Sequence, residues 1–335
     1  MQTASRKNRP PFSVAGVQGL RWNDATPTIK RMNILLIGGS GFLSGTLARA
    51  ALQAGHQVEV VTRGQRVLPD GVQGIVADRK ERAEFKTAIE AASSAPWDLV
   101  VDCIGYEVED AQQDIELFRS RARHFVFVST DFVYDPAKRQ FPQNEDNDGY
   151  LTDDSYGAKK RRCELEFINA DTGEMQWSVV RPCHIYGPGS RLGCLPAHGR
   201  DPELIARLRA GEVLRLVGGG HFLQQPIFAA DLAKTILSCA GNTQSHRQIY
   251  QTAGPDIIES REYYRLIAEQ LDVELRVEEL PVDAYLKKHP EHRSFLCHRI
   301  YRLDKLAAHG LAVPATSIEA GLRAHVASEL QRTAA

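Results

Sequence analysis

The chain has 335 residues, 43% of them hydrophobic and 25% charged, with a formal net charge of −1. That length suits one large core or two closely joined ones, and the near-neutral charge gives no reason to expect nucleic acid or a membrane surface as partner. Six cysteines form no Cys-x-x-Cys pair and several stand in apolar, strand-like settings, so reduced thiols in a cytoplasmic protein are expected, with no metal site and no disulfide framework.

Residues 1–31 carry Arg6, Lys7, Arg9, Arg21, Lys30 and Arg31 against one acid, Asp24. Pro10, Pro11, Gly16 and Gly19 break any periodicity. The segment reads as a flexible extension, with an organelle transit peptide as the weaker alternative. It has no apolar core of the secretory kind, and no run in the chain is long enough to span a bilayer.

The stretch from Ile34 to Gly45 is the most informative one. An apolar run, Ile34-Leu35-Leu36-Ile37, stops at Gly38, Gly39 and Gly41. A helical pattern follows through Phe42, Leu43, Leu47, Ala48, Ala51 and Leu52, then Gly55 and a second strand over Gln57 to Thr62. Strand, glycine turn, helix and strand within about 30 residues is the context that makes a dinucleotide-binding fingerprint credible. Glycines let the backbone approach a pyrophosphate, and the helix start presents free N–H groups to it. Gly38, Ser40, Gly41, Phe42 and Leu43 are therefore candidate cofactor residues. An ordinary tight turn would need fewer glycines.

The second strand ends in Thr62-Arg63-Gly64, with Arg66 close behind. A carboxylate at this place would take the ribose hydroxyls of NAD, whereas a guanidinium suits the 2′-phosphate of NADP. NADP is favoured and NAD stays open. Arg63 as a solvated loop residue stacking on adenine is the plainer alternative. Asp78, after Ile75-Val76-Ala77, is placed to meet the adenine amino group or simply to start a turn.

Further continuous apolar runs follow. Leu99 to Ile104 ends at Gly105, Phe125 to Val128 at Ser129-Thr130, and Trp177 to Val180 at Arg181-Pro182. Runs without alternation indicate strands covered on both faces, hence a doubly wound parallel α/β sheet. Ligands of such sheets lie beyond the carboxyl ends of the strands. Gly38, Thr62, Asp78, Gly105, Thr130 and Pro182 should then border one crevice.

Tyr156 and Lys160, four residues apart, fall on one helix face, and Asp153-Asp154-Ser155 can cap that helix. A phenol with an ordinary value near 10 is a poor base at neutral pH. A nearby ammonium and an oxidised nicotinamide ring would both favour its ionised form. Tyr156 is then the candidate for moving a proton to or from a substrate oxygen, with the hydroxyl of Thr130 or Ser129 holding that oxygen. Two other Tyr-x-x-x-Lys pairs have poorer contexts: Tyr134 and Lys138 enclose Pro136, and Tyr301 and Lys305 lie far beyond the sheet strands in sequence.

With these pieces in order, the chain resembles the extended short-chain dehydrogenase/reductases of the NAD-dependent epimerase/dehydratase superfamily. The matching segments are Gly38 to Leu43, Val128 to Tyr134, Tyr156 with Lys160, Arg181 to Gly189, and Ala229 to Ala233. The resemblance implies a Rossmann domain over residues 32–182. It also implies a smaller C-terminal substrate-binding lobe, mainly residues 183–335, with some segments returning to the sheet. It implies Thr130, Tyr156 and Lys160 as the catalytic set. Lys160 would also hold the nicotinamide ribose, and the backbone after Pro182 would meet the carboxamide. A small, sugar-like carbonyl or alcohol is the implied substrate, with epimerisation and simple reduction both open.

Three departures qualify the match. Ser44 stands where a third fingerprint glycine is usual. Gln224 stands where nucleotide-sugar enzymes place an arginine on the diphosphate, with Arg191 as a replacement. Phe132 removes the second acid of the dehydratases. His184, Tyr186, Arg191, His198, His221 and Gln225 are polar candidates for the substrate pocket. The helices at Glu109 to Ser120 and Ser155 to Asn169 are, by resemblance, where a two-fold homodimer would form. A non-catalytic dinucleotide sensor, or an RNA-associated relative of the chloroplast stem-loop-binding kind, is the alternative function.

Overall fold

The structure, a computed structural model, describes residues 31–92 and 96–334. Apart from Arg31, the expected N-terminal extension lies outside them. Six parallel strands form in chain order: β1 (Asn33–Ile37), β2 (Gln57–Thr62), β3 (Gln73–Val76), β4 (Leu99–Asp102), β5 (His124–Val128) and β6 (Gln176–Pro182). A seventh, Gln248–Thr252, joins the edge beside β6. The spatial order is β3-β2-β1-β4-β5-β6 and then this last strand. Chain direction away from β1 reverses between β1 and β4, which places a ligand crevice at their carboxyl ends.

The unbroken apolar runs have the expected cause. Ile34 and Leu36 face one side of the sheet, against Leu47, Ala48 and Ala51 of α1 (Phe42–Gln53) and Leu232 and Ile236 of the helix Ala229–Ser238. Leu35 and Ile37 face the other side, against α2 (Arg82–Ala92), α3 (Val108–Phe118) and α4 (Tyr156–Asn169). Residues 34–37 of β1 therefore meet a helix whichever way they point, whereas β3 at the edge is largely exposed.

A second, smaller core gathers around Tyr186, Leu204, Leu214, Tyr263, Tyr264 and Leu322. Its helices are Leu204–Arg209, Ser260–Gln270 and Ile318–Ala334. A parallel pair, Val213–Val217 with Arg276–Leu280, flanks them. On the two helices expected to form a dimer contact, the apolar residues Ile115, Leu117, Phe118, Cys163 and Phe167 are buried within the chain, while Leu165 and Ile168 are exposed.

Helix α4 is drawn unusually close to the turn after β5. A Cβ built on Gly157 would run into the carbonyl oxygen of Phe132. Glycine at this position lets α4 seat Tyr156 beside Thr130. Gly157→Ala should therefore push the first turn of α4 outward. The expected outcome is a protein that still folds, destabilised by roughly the 1–3 kcal/mol typical of overpacking, with a correspondingly lower Tm. Calorimetry would check it.

Candidate active site

Two cavities open along the carboxyl ends of the strands. One, of about 510 Å³, is bordered by Gly38, Phe42, Leu43, Thr130, Tyr156, Lys160 and Pro182. The other, of about 400 Å³, is bordered by Gly38, Ser40, Thr62, Arg63, Arg66 and Asp78. They share Gly38, Gly41, Ile104 and Tyr106, so they form one crevice. Of the six strand-end residues expected there, only Gly105 is set back. It is buried, with its neighbours Ile104 and Tyr106 at the wall.

The glycine turn is shaped for close approach. Gly38 has φ of +94°, and a Cβ there would strike Ile104; one on Gly39 would strike Val60. Ser44, in place of the third glycine, is buried and works inward. Its hydroxyl donates to the Gly38 carbonyl and accepts from the Gly41 N–H at 3.0 Å. The serine thus ties the turn to the first turn of α1. The N–H groups of Phe42 and Leu43 meet no acceptor among the described residues, which leaves them for an anion.

At the other end of the crevice, Arg63 and Arg66 are exposed, and the Nη1 of Arg66 reaches the Ser40 carbonyl at 3.4 Å. The Thr62 hydroxyl is taken by the Gly64 N–H at 3.0 Å. Asp78 both borders the cavity and starts a turn, accepting from the Lys80 N–H at 3.0 Å.

Tyr156, Lys160 and Glu164 lie at successive four-residue steps on one face of α4. Ser155 caps the helix, its hydroxyl accepting from the Ala158 N–H at 3.4 Å. Tyr156 borders the cavity together with Thr130, and its phenol ring stays half exposed. Burial of the hydroxyl and the neighbouring Tyr106 push this phenol up from its ordinary value, with Thr130 opposing. The expected downward pull is therefore not a property of the protein groups alone. Lys160 is fully buried and spends two donors on the carbonyls of Gly105 and Val128, both at 2.6 Å. Its ammonium is pulled down by burial and held up by Asp102.

Ser129 is not Thr130's equivalent. Its hydroxyl donates to Glu164 Oε1 at 2.5 Å, behind the cavity wall. Glu164 also takes Arg181 on both oxygens, at 2.9 and 2.6 Å. Beneath Lys160 lies a second buried layer, in which Arg79 meets Asp102 at 2.8 Å and Asp114 at 3.0 Å. Burial raises Asp114 well above its ordinary value, whereas Arg79 holds Asp102 below its own against the opposing effect of burial.

Sequence reading missed the groups that reach the site from the C-terminal region. Arg299, almost fully buried, borders the cavity and lies 3.0 Å from Asp131. Tyr301 donates to the same carboxylate and accepts from Arg139 at 2.8 Å. Arg299 also lies over the Phe132 ring at 4.8 Å. No local pattern signals these contacts, because residues 131 and 301 are 170 positions apart.

Of the six polar pocket candidates, His184 alone borders the cavity. Gln224 is buried and bonded to Ser260 at 3.0 Å, and Arg191 pairs with Glu329 at 3.7 Å. Neither residue lines the crevice. Gln225 ties Gly254 to Tyr301, Tyr186 packs in the smaller core, His198 meets the Arg215 carbonyl, and His221 meets Glu259.

The chain matches the NAD dependent epimerase/dehydratase family over residues 34–253. It belongs to this family. Among curated members it is 25% identical over 233 residues to the chloroplast stem-loop binding protein of 41 kDa b of Arabidopsis thaliana, covering 66% of this chain and 58% of that protein. It is 27% identical over 208 residues to the 2-alkyl-3-oxoalkanoate reductase of Stenotrophomonas maltophilia, covering 56% of this chain and 59% of that one. The chain thus spans less than two thirds of either relative. The fold matches a UDP-N-acetylglucosamine 4-epimerase from Methanobrevibacter ruminantium, solved with UDP-N-acetylmuramic acid, with a TM-score of 0.74 at 16% identity, covering 91% of this chain and 100% of that one. In this chain a parallel seven-stranded sheet carries the crevice. Among the described residues no helix is long and apolar enough to cross a membrane.

Burial beside Arg299 and Arg200 brings His184 down to about 3, and burial brings His124 down to about 4. Both sit below the ordinary 6.5, so the unfolded chain binds more protons than the folded one between these values. Stability should therefore fall as the pH drops from 6.5 towards 4, ahead of most carboxylate protonation. Urea midpoints across this range should move steadily down, and His184→Phe should flatten the slope.

Proposed function

We propose that this chain is an NAD(P)-dependent oxidoreductase that transfers hydride at a carbonyl or secondary alcohol of a small, sugar-like substrate. The observation that carries the reading is that Thr130, Tyr156 and Lys160 border one cavity at the carboxyl ends of the strands, Tyr156 one helical turn from Lys160. The crevice fits the cofactor: its glycine turn has no room for a Cβ, and its helix start has free N–H groups.

A bound nicotinamide would supply or accept the hydride. In reduction Tyr156 gives its proton to the substrate oxygen as the carbonyl carbon gains hydride. Thr130 holds that oxygen. The half-exposed phenolate then recovers a proton from water. Oxidation runs the same transfers backwards. Lys160, with two donors fixed on backbone carbonyls, keeps its third for the ribose. Gly38, Ser40, Gly41, Phe42, Leu43 and Pro182 form the cradle, with Gly105 set behind it and Asp78 at the adenine end. Phe132, in place of an acid, leaves no second proton donor beside Asp131 and speaks against dehydration.

NADP is favoured over NAD, because β2 ends without a carboxylate and Arg63 and Arg66 border that end of the crevice. A second reading, binding to an RNA stem-loop, has the Arabidopsis relative in its favour. Retention of Thr130, Tyr156 and Lys160 together favours the enzyme, since binding alone needs no proton-transfer set.

Three outcomes test this reading. Tyr156→Phe should cut reduction of a carbonyl substrate by about 10²- to 10⁴-fold while leaving NADPH binding intact, as read by NADPH fluorescence. Because the phenol is pushed up, reduction by the wild-type protein should be flat through neutral pH and decline only in alkali, whereas oxidation should rise with pH. Arg63→Ala should weaken NADPH about ten- to hundredfold and barely affect NADH. Equal wild-type affinity for both cofactors would overturn the NADP assignment, and failure to bind either would overturn the oxidoreductase.

A further inference from the structure

The wall of the substrate cavity carries an unbalanced positive charge. Arg139 and Arg299 are both buried, at 8% and 2% exposure. Among the described residues Asp131 is the one carboxylate paired with either, at 3.8 Å from Arg139 and 3.0 Å from Arg299. Tyr301, the other partner, is neutral, since burial pushes its phenol well up. His184, held down at about 3 by burial and by Arg299 and Arg200, is neutral as well. Two cations against one anion leave one net positive charge in a low-dielectric wall. Such a charge is costly unless a counter-ion arrives.

The guanidinium of Arg299 is also not fully used. Its Nη1 is buried without a hydrogen-bond partner, although an arginine offers five donors. The other charged residues bordering this cavity are Lys160, Arg200 and Asp131, so cations outnumber anions there too. Arg299 faces the reacting end of the crevice. It pairs with Asp131, the residue after Thr130, and lies over the ring of Phe132, whose N–H is bonded to the Thr130 hydroxyl at 3.3 Å.

We propose that Arg299 is a specificity-determining residue that receives a carboxylate of the substrate, and that the substrate is an oxo acid or its hydroxy acid, a sugar acid included. The inference rests on the oxidoreductase reading and narrows it. A single buried excess charge matches a monoanion, and the planar guanidinium suits a carboxylate. The closeness of Arg299 to Thr130 places that carboxylate within a few bonds of the carbon that exchanges hydride. Asp131 serves as the partial counter-charge that keeps Arg299 in place when no substrate is bound.

The test uses the full chain saturated with NADP⁺, with which an oxo acid cannot react. Acetoacetate is titrated against its uncharged methyl ester and against inorganic phosphate, with binding read by calorimetry and by the rise in Tm. Acetoacetate should bind and the ester should not. Arg299→Gln should raise the apparent Kd for acetoacetate roughly ten- to hundredfold, with NADP⁺ affinity unchanged as the control for folding. Asp131→Asn, which leaves two cations unopposed, should shift the same Kd the other way. Equal binding of acid and ester, or an acetoacetate affinity indifferent to both variants, overturns the proposal and leaves the oxidoreductase standing. Tighter, Arg299-dependent binding of phosphate overturns the carboxylate assignment. If no cofactor binds, the oxidoreductase reading fails by itself, and the same titrations on the cofactor-free chain judge the anion site.

Discussion

The bidentate pair between Glu164 and Arg181 holds helix α4 in place. Glu164 is two helical turns beyond Tyr156 and one beyond Lys160, and it is wholly buried. Its two oxygens take Arg181 from the end of β6, and one also takes Ser129 from the end of β5. Three elements are thereby locked at the carboxyl edge of the sheet, where a ligand must sit. Gly157 supplies the complementary constraint, since contact between α4 and the turn after β5 fixes how deep the helix lies. Burying an ion pair is not in itself a source of stability, but leaving either partner unpaired would cost about 3–5 kcal/mol. Any shift of α4 along the sheet therefore meets a steep penalty.

The protein groups around Tyr156 have a separate logic. The phenol is kept protonated by its surroundings, and the nearest ammonium is committed to backbone carbonyls. A proton is thus available for donation without any rearrangement, whereas removal of a proton needs a further positive neighbour. The buried layer of Arg79, Asp102 and Asp114 lies below Lys160 and supports it through Asp102. A buried lysine would be hard to keep charged without that carboxylate.

Much of this was legible in the sequence because it is written in local patterns. Continuous Val, Ile and Leu runs marked the strands of the parallel sheet, and the glycine cluster at 38–41 marked the turn. The spacing of Tyr156 and Lys160 marked one helix face. What escaped was carried by single residues joined over long distances. Arg299 and Tyr301 are isolated polar residues in a stretch without periodicity, yet they converge on Asp131. Ser44 looked like a defect in a glycine pattern, although its hydroxyl does local work that a glycine could not. Gln224 fitted an alignment of the crevice but turns its amide to Ser260. The short strands Ile185–Tyr186 and Ile227–Phe228 have too few residues for any period to show.

The reach of Tyr301 back to Asp131 has a consequence for how the chain matures on the ribosome. Strands β1 to β6 and helix α4 are all made by residue 182, whereas the edge strand Gln248–Thr252 and the helix Ala229–Ser238 that covers one face follow later. The wall that holds Arg139, Asp131 and Arg299 cannot close until residues 299–301 have left the exit tunnel. Until then Asp131 and Arg139 face each other without their later partners. A nascent chain halted before that point would carry a formed dinucleotide crevice beside an open-sided pocket.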